Sequence, residues 1–115
     1  MANTFKVITK AGVTSADVIY TVASSTTSVL LGIMLGNTTT GATTATVTLT
    51  SDTANRSGAN NEANQTVELV TNAPLPVGST LELLAGNKVV METTDTLSLT
   101  GSAATDITLS VMEIT

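Results

Sequence analysis

The side chains able to do chemistry in this 115-residue chain are nine carboxylates, three lysines, one arginine, one tyrosine and 35 Ser and Thr hydroxyls. Cysteine and histidine are absent, which removes thiolate nucleophiles, imidazole acid–base catalysis and His- or Cys-ligated metals. A hydroxyl nucleophile needs an activating base. No G-x-S-x-G elbow and no S-x-x-K pair occurs, so the hydroxyls read as strand-face residues and no catalytic residue is assigned. Oxygen ligands for a hard cation are densest around Asp52, Asn55, Asn60 and Glu62, but their spacing is out of register with a D-x-[DN]-x-[DN]-G calcium loop. Glu92 and Asp95 flank a turn while Glu68 and Glu82 fall on strands, so no acid pair is placed for glycoside hydrolysis. The chain is expected to be no enzyme and to hold no metal and no cofactor.

Binding chemistry is equally sparse. Four basic residues (Lys6, Lys10, Arg56, Lys88) against nine acidic ones leave a net charge of -5, with no basic stripe or aromatic series to neutralise phosphates and stack bases. Direct nucleic-acid binding is therefore not expected. A sugar site on a β-sandwich normally uses an exposed aromatic platform. The one tyrosine, Tyr20, alternates in phase with Val18 and Val22, which points its ring at a core. Thr44, Thr46, Thr48 and Thr50 make one hydroxyl ladder; an ice-binding face would need many aligned ranks from a regular repeat. The ladder reads as the wet side of a strand.

The elements that must position these groups are strands. A chain of this length fits one domain with its own core, and 29 Val, Ile and Leu residues have to build it. Residues 4–10 form a first strand with Phe5 and Val7 on one face and Lys6, Ile8 and Lys10 on the other, followed by a turn at Ala11-Gly12. Residues 16–23 place Val18, Tyr20 and Val22 together, and 28–36 are apolar on both faces, as in a central strand covered from both sides. After a turn at 37–41, residues 43–50 alternate with Ala45, Val47 and Leu49 inward. The stretch 51–64 is a long polar loop without Val, Ile, Leu or an aromatic residue. Strands at 66–71, 80–84, 88–92, 96–100 and 105–115 follow, with a rigid turn at Pro74 to Gly78 and a tight hairpin at Gly86-Asn87. In the last strand Ile107, Leu109 and Val111 alternate before Met112 and Ile114 take over, which predicts a bulge near Val111 or a strand end apolar on both faces. About eight antiparallel strands at this spacing predict an all-β, single-domain β-sandwich or jelly roll spanning 1–115.

Residues 1–10 lack the apolar core of a signal peptide, and the longest apolar run, seven residues from Val29 to Leu35, is too short for a membrane-spanning helix. Synthesis in the cytoplasm, with no membrane association, is the expectation. Three N-x-S/T sequons occur, at Asn37, Asn55 and Asn64, no more than chance gives in so Asn- and Thr-rich a chain.

From residue 71 onward the wording becomes specific: TNAPLPVGSTLELLAGNKVVMETTDTLSLTGSAATDITLSVMEIT. Pro74, Pro76, Gly78, Leu81, Gly86, Lys88, Val89, Val90, Glu92, Asp95, Leu97, Asp106, Leu109, Ser110, Glu113 and Ile114 fit a module that resembles small virion structural proteins of tailed bacteriophages, of the cyanophage and marine-phage type. The first half resembles the same family more loosely, and the 51–64 loop lies outside the match. Departures are Met91 for Leu, Thr93-Thr94 for Pro-Gly or Ala-Gly, and Gly101 for Ser. The resemblance implies a non-enzymatic β-sandwich, made in the host cytoplasm and built into the virion, that acts as a decoration (cement) protein binding the major capsid protein lattice. A neck, tail, baseplate or fibre component is the alternative, and a small sugar- or ligand-binding module the second alternative.

Two groups of residues are expected to touch partners. Arg56, with Asn60 and Glu62 beside it, supplies a planar cation in the 51–64 loop. Met112 and Ile114 lie on a terminal strand with few charges to guard its edge. Charged residues make up only 11% of the chain, against ~25% in ordinary soluble domains, which suits a subunit packed against others. With Leu109, Val111, Met112 and Ile114 close together on the last strand, a homo-oligomer is expected, a trimer favoured over a dimer, or a subunit stable only when docked on its particle.

Overall fold

The structure is a computed structural model and describes residues 2–51, 65–84 and 86–115. β-Branched and aliphatic residues alternating with Thr and Ser favour extended backbone. Among the described residues they form β1 (Asn3–Val13), β2 (Asp17–Thr21), β3 (Thr27–Asn37), β4 (Thr43–Ser51), β5 (Gln65–Leu75), β6 (Thr80–Leu83), β7 (Val89–Met91), β8 (Thr96–Gly101) and β9 (Thr105–Ile114), with no helix. The predicted 51–64 loop falls almost wholly outside the described residues, and Arg56, Asn60 and Glu62 with it.

The pairing is nested. β1 pairs with β9, β2 with β8, β3 with β6 and β7, and β4 with β5, all antiparallel. A chain folded into one long hairpin and then rolled across itself gives this order. One sheet (A) runs β1-β9-β3-β6 with β7 also on β3, and the other (B) runs β2-β8-β4-β5. This is the jelly-roll form of the β-sandwich.

The hairpin expected at Gly86-Asn87 is corrected by the pairing. β6 pairs with β3 at Ile33 to Gly36 and β7 pairs with β3 at Ser28 to Leu30, so the two lie end to end along one edge of β3 and do not pair with each other. The eleven-residue β3 offers a longer edge than either short strand could fill alone. β6 and β7 thus act as one interrupted strand, which reconciles nine segments with the eight of a jelly roll.

Other local expectations also change. Ala11-Gly12 is not a turn: β1 continues to Val13 through an irregularity after Lys10, with Gly12 at φ 68° in the left-handed region that glycine tolerates. Val18 is exposed while Tyr20 and Val22 are buried, because a bulge between Val18 and Tyr20 reverses the alternation. β5 runs through Pro74 to Leu75, which an edge strand allows, and the turn starts at Pro76, whose carbonyl accepts from Ser79 N at 3.1 Å. β3 is central but covered on one face only: Leu30, Ile33 and Leu35 are buried, whereas Met34 is 47% exposed. Its bulge lies between Leu30 and Gly32.

β9 keeps one phase to its end. Thr105, Ile107, Leu109, Val111 and Glu113 all face inward, so the phase change expected near Val111 does not occur. A carboxylate, not an aliphatic residue, holds the last inward position. Leu30, Ile33, Leu35, Val47, Leu97, Leu99 and Leu109 centre the core between the sheets, and at about 25 cal/mol per Å² their burial is the main favourable term in folding.

Candidate functional site

Three constructions in the fold concentrate polarity or exposed apolar surface. The first is a clasp between the sheets built on Glu113. Lys6, on the outermost strand of sheet A, places Nζ 2.7 Å from Glu113 Oε1. Tyr20, from sheet B, donates its hydroxyl to Glu113 Oε2 at 2.6 Å. The phenol has one proton, so the Ser28 hydroxyl, 2.9 Å away, completes its bonding by donating to it. Lys6 and Tyr20 together hold the Glu113 carboxyl below the usual carboxylate range, while burial and then the carboxylate push the Tyr20 hydroxyl up to about 12. A second bridge, Lys10 to Asp17 at 3.1 Å, fastens the same edge further along. Tyr20 and Glu113 are under 10% exposed, while the Lys6 side chain reaches Glu113 from the solvent-exposed edge.

The second construction is the outer face of sheet B. Residues directly paired across antiparallel strands share a face, so the register puts Thr21, Thr96, Thr50 and Thr66 in one row. Val18, Ser98, Thr48 and Glu68 form the next, and Thr100 and Thr46 a third. The hydroxyls bond among themselves, as at Thr50 Oγ1 to Thr66 Oγ1, 3.0 Å. The Thr ladder of β4 is therefore the centre of a broad hydroxyl surface.

The third is the outer face of sheet A, and it is different. Phe5, Met112, Val29 and Val90 form a row across β1, β9, β3 and β7. Beside it run Asn3, Ile114 and Thr27 on one side, and Val7, Ser110 and Gly32 on the other. A further row is Thr9, Thr108, Met34 and Glu82. Phe5 is 72% exposed, Val7 65% and Val90 60%. Glu82, in the corner, is the one charged residue of these four rows.

Met112 and Ile114, expected from sequence to reach a partner, thus lie half-buried on this face, Met112 in its central row and Ile114 in the row at the strand ends. Phe5, Val29 and Val90 belong with them and were not singled out, since only the register brings them together. Among the described residues no group of three or more Asp or Glu is close enough to hold a metal, and no helix is long and apolar enough to cross a membrane. No protein-family model, curated protein or solved structure matches the chain. The reading of this site rests on its geometry. One sheet face is coated mainly with hydroxyls, and the other carries an apolar row flanked by mixed ones.

Proposed function

We propose that this chain is a non-enzymatic structural subunit of a bacteriophage virion, made in the host cytoplasm, that decorates and stabilises the head by binding the major capsid protein lattice as a homo-oligomer. One observation carries the reading: acidic residues in the stretch that resembles phage virion proteins hold the fold together. Asp95 Oδ2 accepts from Glu92 N at 2.9 Å, Asp106 Oδ1 from Gly12 N at 2.9 Å, and Glu113 closes the clasp. A motif whose polar members are framework fits a protein whose task is to be a stable block. Jelly rolls recur in viral shells, which is an argument from fold alone and adds weight without identifying the role.

Immunogold labelling of the parent phage with antibody to this protein tests the proposal. Label spread over the whole head supports decoration. Label at one vertex or along the tail moves the protein to a neck, tail, baseplate or fibre component. Particles without label refute a virion role. In the same particles, Arg56→Ala is expected to lower occupancy without changing the β-sheet signal of the isolated protein, since Arg56 carries the only cation of the 51–64 loop.

A further inference from the structure

We infer that the outer face of sheet A is a self-association surface on which a second copy of this chain packs face to face about a two-fold axis. The contrast between the two sheets motivates it. The same fold coats its other sheet with Thr and Ser, so nothing in the architecture requires Phe5, Met112, Val29 and Val90 to stand in a row toward solvent. A contiguous exposed apolar patch of more than a few hundred Å² marks an interaction site.

Charge and area select a second copy as the occupant. Each copy carries -5, so association is least opposed where charge is missing, and the four central rows hold Glu82 alone. A partner recognised through charge would find nothing to read here. β1, β9 and β3, of 11, 10 and 11 residues, with the short β6 and β7, of 4 and 3 residues, at about 3.3 Å per residue and about 4.8 Å between strands, give a footprint of about 600 Å². Corrugation by side chains raises the accessible area toward the ~800 Å² per partner of a standard interface. A single face buried by direct apposition joins two copies, not three, so the surface specifies a dimer in place of the trimer favoured from the sequence.

The register also sets the axis. A two-fold axis running along the strands between β9 and β3 maps the central row onto itself in reverse. Phe5 of each copy then lies over Val90 of the other, and Met112 over Val29. Glu82 falls over Thr9 and avoids its own mate. Stacked sheets keep their strands within about 30° of one another, so the row stays in contact across its width.

This pairing deepens the oligomer part of the virion reading but is tested on the isolated protein, where no particle is involved. Sedimentation equilibrium at micromolar concentration is expected to give twice the 11.6 kDa chain mass. Phe5→Asp with Val90→Asp sets carboxylates against each other twice per dimer and is expected to leave monomer, with at least a hundredfold weaker association. Phe5→Asp with Val90→Lys, which sets opposite charges across the axis, is expected to restore the dimer. Thr48→Asp, on the outer face of sheet B, is expected to leave it intact. A wild-type monomer or trimer overturns the inference, as does a dimer that survives the double Asp change. Should a variant misfold by circular dichroism, the wild-type mass still decides. A wild-type monomer that nevertheless labels the phage head would retire the pairing and keep the virion role.

Discussion

The clasp between the sheets makes stability depend on pH through one tyrosine. Burial and the neighbouring Glu113 carboxylate raise the Tyr20 hydroxyl from 10.0 to about 12. A native-state value above the unfolded one means the folded chain keeps its proton where the unfolded chain has lost it. The stabilisation is therefore complete below pH ~10 and is lost as pH rises through about 12. At about 1.4 kcal/mol per pH unit, the loss over that window is about 3 kcal/mol, a large part of the ~5–15 kcal/mol that holds a domain of this size. Tyr20 is the chain's only tyrosine and there is no tryptophan, so ultraviolet titration of tyrosinate reads this one group. Urea unfolding at steps from neutral to strongly alkaline pH gives the matching stability. Tyr20→Phe abolishes this contribution, and the wild-type minus Phe difference removes whatever background the two proteins share. The Phe variant is expected to be weaker at neutral pH by about 1.5–3 kcal/mol, because a hydrogen bond to a buried carboxylate is lost, and its disadvantage should vanish toward pH 12. Tyrosinate formation near pH 10 in the folded protein, or an alkaline decline identical in both proteins, would refute the reasoning. On the acid side Glu113, held low by Lys6 and Tyr20, contributes stability that is present above the ordinary carboxylate range and lost as pH falls through its depressed value.

Two backbone positions give further expectations. Gly101→Ala would bring a Cβ within 2.6 Å of the Val13 carbonyl and 2.7 Å of the Ala103 carbonyl; backbone cannot step aside cheaply, and a loss of about 1–3 kcal/mol is expected in urea unfolding. Thr94→Gly is expected to raise the thermal midpoint, since Thr94 sits at φ 70°, where a left-handed conformation costs a non-glycine residue about 1–2 kcal/mol, part of which is offset by the added freedom of glycine in the unfolded chain. An unchanged or lower midpoint would show that the turn has no such strain.

The same two positions show how local backbone limits the choice of side chain. Serine at 101 would clash as alanine does, so the tight approach of Val13 and Ala103 requires the glycine. Next to the left-handed Thr94, Thr93 fastens the turn by accepting from Thr26 N at 3.2 Å and donating to Thr26 O at 3.0 Å. Sequence patterns reach such features poorly. Period-two alternation located the strands and the inward Ala45, Val47 and Leu49, because it is a local property. Bulges at Val18 to Tyr20 and at Leu30 to Gly32 escaped notice, since they are set by the neighbouring strand's register. The Gly86-Asn87 signal does mark a break, but which strand β6 and β7 pair with depends on the length of β3. Glu113 was legible in retrospect from its phase with Ile107, Leu109 and Val111; its partner Tyr20 lies 93 residues away, and no local pattern joins the two.

The same limit separates the two halves of the candidate surface. Met112 and Ile114 stood out because two apolar residues followed the alternating series within one strand. Phe5, Val29 and Val90 each looked like an ordinary strand residue, since scattered exposed apolar residues are normal. Only when β1, β9, β3 and β7 are set side by side do four such residues become a row, and a row has a consequence that single residues lack. It sets a continuous apolar band toward water, while the clasp behind it, with Lys6 and Glu113 bridged at 2.7 Å, ties β1 to β9. A polar interior tie and an apolar exterior on the same strand are what the proposed pairing of two copies requires: a strand held from within, and apolar surface left for a second copy to cover.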